Sequence, residues 1–255
     1  MRLREKVAIV TGAGAGMGRE MAILFASEGA KIIASDWNAE TLKEVVSTVR
    51  AEGGEIVGIQ GNVAVQSESE GLVDAAVNTY GRLDVLCNNA GITDLAQGVG
   101  EVTNKMWRDV LGVDLDGPML ITRRAIPIML KQGSGSIINI SSMAGLGGSS
   151  AGAAYTVAKH GLIGLTRNTA WLYAESGVRC NAICPGYTKT SMWGSVKEED
   201  RDPNGAKRCN LYLSTRPRPG LQSLDIAQLA LFLASDESRR INGAIIPADG
   251  GWRSA

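Results

Sequence analysis

Tyr155 and Lys159 stand four residues apart in a stretch whose apolar spacing predicts a helix over about 153–175, so their side chains share one face. A free phenol titrates near 10, and an ammonium beside it favours the phenolate. A downward shift of about two to three pH units corresponds to about 3 to 4 kcal/mol and brings the phenol into working range as a proton donor and acceptor. Ser142 directly follows the apolar run 136–140, Ser-Ile-Ile-Asn-Ile, which puts its hydroxyl where a substrate carbonyl or hydroxyl oxygen can be held; the adjacent Ser141 is the competing assignment.

A second set of residues suits a dinucleotide. Gly12, Gly14, Ala15, Gly16, Met17 and Gly18 join a short β-branched run to an apolar-periodic segment. Such a turn brings backbone amides close to a pyrophosphate at the positive end of a helix. Asp36 ends the next apolar run, 24 residues beyond Gly12, with Trp37 beside it as a further binding candidate. A carboxylate there accepts from both ribose hydroxyls and repels a 2'-phosphate, so NAD is expected over NADP. Ala15 adds no basic charge, whereas Arg19 lies in the first helical turn, close enough to approach the adenosine side.

These residues need a scaffold that presents strand ends and helix starts together. Strand-like runs at 6–11, 31–35, 55–59, 83–87, 136–140, 178–183 and 243–247 alternate with predicted helices at 16–28, 39–51, 67–79, 104–131 and 153–175. The expected fold is α/β, a single doubly wound Rossmann domain over residues 1–255 with a seven-stranded parallel sheet and helices on both faces. Residues 189–224 break the alternation with three prolines, three glycines and basic residues Lys189, Lys197, Arg201, Lys207, Arg208, Arg216 and Arg218. A segment of that length in a compact domain is expected to act as a substrate lid.

Composition removes other classes. Lysine and arginine number 26, as do aspartate and glutamate, leaving no net charge to drive binding to nucleic acid or an anionic bilayer. No run approaches the length of a membrane span, and the four scattered cysteines fit a reducing, cytoplasmic setting rather than a disulfide framework. Glycine is abundant at 32 of 255 residues without a collagen period, so many backbone positions must be tight. Cys180 and Cys184 match no usual zinc spacing, and no metal is expected. Gly148 to Gly152 fits the G-x-S-x-G nucleophile pattern around Ser150. The only histidine, His160, follows ten residues later, against the order of serine, acid and distant histidine that such hydrolases use.

Ser142, Tyr155 and Lys159, in the context of this alternation, resemble the short-chain dehydrogenase/reductase family over essentially the whole chain. The resemblance implies hydride transfer between a nicotinamide and a secondary alcohol or ketone. Tyr155 would move the proton, Lys159 would lower its pKa and bind ribose, and Ser142 would orient the substrate. It further implies that Asn88, Asn89, Ala90 and Gly91 line the cofactor cleft and that Asn62 and Val63 face adenine. Pro185, Gly186, Thr188 and Thr190 would hold the nicotinamide carboxamide and phosphate. Relatives usually carry Asn where this chain has Asp114, a residue that supports a water behind the lysine. A carboxylate there would stabilise the ammonium and compete for its field, which leaves a dinucleotide-binding protein of weak turnover as the alternative. A homotetramer is implied too, and the apolar Leu162, Ile163, Leu165 and Trp171 give the Tyr155 helix faces that one sheet need not cover.

Overall fold

The structure, a computed structural model, describes residues 1–190 and 198–254. Seven strands are β1 (Val7–Thr11), β2 (Lys31–Asp36), β3 (Ile56–Gln60), β4 (Val85–Asn88), β5 (Gly135–Ile140), β6 (Val178–Pro185) and β7 (Ile245–Ala248). They form one parallel sheet in the order β3-β2-β1-β4-β5-β6-β7. The helices are α1 (Gly16–Ser27), α2 (Ala39–Ala51), α3 (Gln66–Tyr80), α4 (Asn104–Leu111), α5 (Gly117–Gln132), α6 (Ala153–Leu172), α7 (Pro203–Leu213) and α8 (Ser223–Ala234). The seven-stranded, doubly wound arrangement expected from the alternation is the one observed.

Every residue of β1 is buried, because the sheet is covered on both sides. Ala8 and Val10 pack with the apolar faces of α1, α2 and α8, while Val7 and Ile9 pack with those of α3 and α5. Strand order reverses beside β1, which neighbours both β2 and β4, so the loops after β1 and β4 diverge there and leave a crevice.

Two elements differ from expectation. The helix expected over 104–131 is interrupted by a π-helical turn at Gly112–Asp116, so that α4 and α5 are two pieces of one winding. No helix was expected between the basic excursion and β7, yet α8 lies there, against α1 and the β5 and β6 strands. Its sequence, SLDIAQLALFLA, is apolar nearly all round and lacks the polar stripe that marks a surface helix. The described parts of residues 189–224, where the excursion leaves room for short helices, contain α7, capped by Asp202; Lys197 and the rest of 191–197 lie outside the described residues. Of the apolar residues on α6, Leu162 and Ile163 are buried in the fold. Leu165 is half-buried, and Trp171, 82 % exposed, stays uncovered together with Val157 and Leu172.

Candidate active site

At the crevice the two loops are clipped together. The Asn89 side-chain amide donates to the Thr11 carbonyl at 2.8 Å and the Gly12 carbonyl at 3.2 Å, while the backbone N–H groups of Asn89 and Ala90 donate to the Thr11 hydroxyl. Gly12 and Gly16 have φ of 63° and 53°, which only glycine adopts without strain. A Cβ on Gly18 would overlap the Gly12 carbonyl oxygen, so the start of α1 sits directly on the turn. No side chain caps α1, in contrast to α2, whose first amides are taken by Asn38. The α1 amides of the glycine turn thus face the crevice as an anion cradle.

Asp36, at the end of β2, reaches back to the glycine turn. Asp36 accepts from the Gly14 amide at 2.8 Å through Oδ2 and from the Asn38 amide at 2.9 Å through Oδ1. Trp37 beside it is 80 % exposed. Arg19 is ion-paired with Glu20 at 2.6 Å. Asn62 is exposed and its amide oxygen accepts from the Ala64 amide, whereas the Val63 side chain turns inward and packs in the core on the α3 and α5 side rather than toward the crevice. Thr190 lies against Gly16, and Pro185, Gly186, Thr188 and Thr190 all line one cavity of about 480 Å³.

That cavity also contains Ser142 and Tyr155. α6 carries Tyr155 and Lys159 on one face, with the Lys159 Nζ 5.3 Å from the Tyr155 ring centroid. Lys159 is 3 % exposed and donates to the Ile140 carbonyl at 3.0 Å, which ties α6 to the end of β5. Two serines adjoin that strand end. Both line the cavity, but Ser141 is spent on the Lys159 carbonyl at 3.0 Å, whereas the Ser142 hydroxyl accepts from the Ala144 amide at 3.1 Å and acts to lower the Tyr155 phenol.

Asp114 is wholly buried. Its Oδ2 lies 3.0 Å from the Lys159 Nζ, and its Oδ1 accepts from the Ile92 amide at 2.8 Å. The π turn carries it there, as such turns often do at functional sites. Gly91 packs on the pair, since a Cβ at that position would stand 2.9 Å from Oδ2. Burial raises the Asp114 carboxyl against the pull of Lys159. Burial, the largest single influence, works to lower Lys159, but the charge and hydrogen bond of Asp114, with Tyr155 and Cys184, together outweigh it and hold the ammonium above its ordinary value.

The phenol moves opposite to expectation. Burial, the largest influence, pushes Tyr155 up; Lys159 and the Ser142 hydroxyl pull it down, and Asp114 and Asp94 push it up again, leaving it above its ordinary value. The reason is that a low-polarity environment penalises the phenolate while the Asp114 carboxylate cancels part of the ammonium field.

Asp94 was not anticipated. Fully buried, it accepts from the amides of Ala96, Gly152 and Tyr155 at 3.2, 3.0 and 2.9 Å and so holds the first turn of α6 from a distant loop. An acidic residue some 60 positions before the helix that it caps leaves no local sequence signal. Ser150 and His160 do not form a hydrolytic pair: His160 is exposed and its Nδ1 lies 2.9 Å from the Thr156 carbonyl on its own helix. Cys180 and Cys184 are buried in β6, and among the described residues no cluster of His, Cys, Asp and Glu has metal-binding geometry. Among these residues, too, no helix is long and apolar enough to cross a membrane.

A family model described as enoyl-(acyl carrier protein) reductase matches residues 12–253. The chain is 35 % identical over 251 residues to the 3beta-hydroxysteroid dehydrogenase 2 of Eggerthella lenta, covering 98 % of this chain and 95 % of that protein. The crystal structure of levodione reductase superposes with a TM-score of 0.91 at 33 % identity, covering all of both chains. A Beutenbergia cavernae structure, assigned as an NAD(P)-dependent gluconate 5-dehydrogenase and carrying NADP at low occupancy, gives 0.88 at 33 % identity over 99 % of this chain and 98 % of its own. With the sheet order, the glycine turn and the Ser142, Tyr155 and Lys159 cluster, these similarities establish that the chain belongs to the short-chain dehydrogenase/reductase family.

Proposed function

We propose that the protein transfers a hydride between NAD and a secondary alcohol or ketone, with Tyr155 as the proton carrier. The observation that carries this reading is the placement of the Tyr155 phenol, Lys159 behind it, on the wall of the cavity that continues to the glycine turn. Bound nicotinamide supplies the hydride acceptor or donor. In the oxidative direction the Tyr155 oxygen would take the proton of the substrate O–H group as the carbinol carbon becomes the ketone, and in reduction it would return that proton. Ser142 orients the substrate oxygen. Lys159 favours the phenolate and keeps an N–H for the nicotinamide ribose beyond those aimed at Ile140 and Asp114. The hydroxysteroid named for one relative and the reductase activity named for another accord with this substrate class.

The residues present fit a dinucleotide: a glycine cradle under uncapped helix amides, then Asp36 at the end of β2. Asn62, Asn89, Ala90, Gly91, Pro185, Gly186, Thr188 and Thr190 would complete the contacts. The Asp36 carboxylate supports NAD over NADP, and Arg19, occupied by Glu20, offers a 2'-phosphate little compensation. The described part of 189–224 closes one side of the cavity, in keeping with a lid on a single domain. Free, buried thiols suit a cytoplasmic protein, and the uncovered Val157, Trp171 and Leu172 suit assembly into a homotetramer.

The Asp114–Lys159 pair favours one second reading, a protein that binds NAD with little turnover, because the carboxylate restrains the phenol. A panel of secondary alcohols and ketones with NAD and NADP separates the two. Tyr155→Phe is expected to abolish turnover of every active substrate while dinucleotide binding, read by fluorescence, persists; unchanged turnover refutes the assignment of the phenol.

A further inference from the structure

The cavity that holds Tyr155 is also lined by three guanidinium groups, those of Arg201, Arg216 and Arg218, and by no carboxylate among the described residues. The chain as a whole is neutral, so this concentration of positive charge is local to the site. Arg216 is held in place: its guanidinium stacks 4.5 Å above the Tyr187 ring, and Nη1 donates to the Leu213 carbonyl at 2.8 Å. That arrangement fixes the plane of the fork and leaves most of its donors unspent. Neither Arg216 nor Arg218 has an acidic side chain within ion-pair distance among the described residues. Arginine ion pairs among the described residues include those of Arg2, Arg19, Arg82, Arg123 and Arg124, all away from this cavity.

Resting on the oxidoreductase reading above, we infer that the substrate is a secondary alcohol or ketone that carries an anionic oxygen group, a carboxylate or a phosphate, which Arg216 and Arg218 bind while Tyr155 and Ser142 address the carbinol carbon. Guanidinium forks match the paired oxygens of both anions, and a preset fork loses little entropy on binding. Met143, Leu213 and Trp252 supply apolar wall between the two ends, as a carbon skeleton requires. Trp252 is itself fixed by stacking on Tyr212 at 4.4 Å and by its indole N–H to the Thr215 hydroxyl at 2.9 Å. The reaction is unchanged: hydride to or from the nicotinamide, proton to or from Tyr155, with the anion taking no part in bond making.

The same cavity reaches Met17 and Thr190 beside the glycine turn, so the experiment must separate substrate anion from dinucleotide pyrophosphate. Matched pairs are assayed with NAD and NADP: hydroxy and oxo acids against their methyl esters, and polyol phosphates against the free polyols. The anionic member is expected to show a kcat/KM about 10- to 100-fold higher, the range of one or two charge-assisted hydrogen bonds. In the Arg216→Gln/Arg218→Gln double variant that ratio is expected to fall toward parity, mainly through KM, with the dinucleotide Kd held within about twofold. Preference within the acid pairs assigns a carboxylate, and within the phosphate pairs a phosphate. Parity in the unmodified protein overturns the inference and leaves the oxidoreductase reading standing. So does a variant that weakens dinucleotide binding as much as substrate, which would give the arginines to the pyrophosphate. If no compound is turned over, calorimetric titration with succinate and inorganic phosphate decides. Saturable binding lost in the double variant upholds the anion site, and absence of binding overturns it.

Discussion

Asp114→Asn removes one charge from the site while keeping an oxygen for the Ile92 amide, and its effect can be worked from two contacts. Asp114 lies 3.0 Å from the Lys159 Nζ, which lies 5.3 Å from the Tyr155 ring centroid, so the carboxylate is within about 8 Å of the phenol ring. With an effective dielectric of about 20, a charge at about 8 Å is worth about 2 kcal/mol, against about 3 kcal/mol for the ammonium at its shorter distance. The carboxylate thus offsets roughly two-thirds of the help that Lys159 gives the phenolate. Oxidation needs the phenolate, so kcat/KM rises with pH through the phenol's titration. Because Asp114 pushes that titration upward, its loss moves the rise to lower pH. For reduction, which needs the protonated phenol, the fall also comes earlier. Besides Asp114, the groups acting on Tyr155 are Lys159, Ser142 and Asp94, all retained in the variant. Lys159 also loses the partner that holds it above its ordinary value. If it shed its proton, the phenol would lose its attraction and the rise would move to higher pH. Initial-rate pH profiles, taken where thermal melts show the variant folded, give the answer. An unmoved or upward-moved rise refutes the restraint assigned to Asp114.

Asp94→Ala strips the acceptor from three backbone amides at the start of α6, and a loss of about 2 to 4 kcal/mol is expected in denaturant melts. Asp94→Asn, which keeps one oxygen, is expected to recover part of it; equal losses would contradict the cap. Asp36→Ala is expected to raise the KM for NAD about tenfold and to admit NADP, read from steady-state rates with each dinucleotide. Burial pushes the Cys180 thiol up to about 12 and the Cys87 thiol higher still, and raises Cys184 and Cys209. A disulfide reagent at pH 8 is therefore expected to leave the folded protein unlabelled and to find four thiols after denaturation.

The sheet was readable because each buried strand is a β-branched run ending in glycine or a polar residue, as in Val7–Thr11 before Gly12. Tyr155, Lys159 and Ser142 were readable because one helix face and one strand end suffice to place them. What escaped depends on contacts distant in sequence. α8 hides its type behind an almost continuous apolar surface, since it is covered by α1 and the sheet together. Asp94 caps a helix whose first turn lies some 60 residues on, and Val63 turns inward, where α5 packs closely on it at Gly117. The direction of the phenol's titration required knowing that Tyr155 is buried and that Asp114 faces Lys159; neither follows from spacing along the chain.

The π turn at Gly112–Asp116 holds one residue more than regular winding would. Five residues at the wider π winding turn through about as much as four in an α-helix, so deleting a single position there would restore regular winding with α4 and α5 still in phase, and Val110 would keep its pocket beside α6. Asp114, inside the turn, is the residue that would be re-aimed, away from the ammonium. A codon lost here spares the rod and costs the contact.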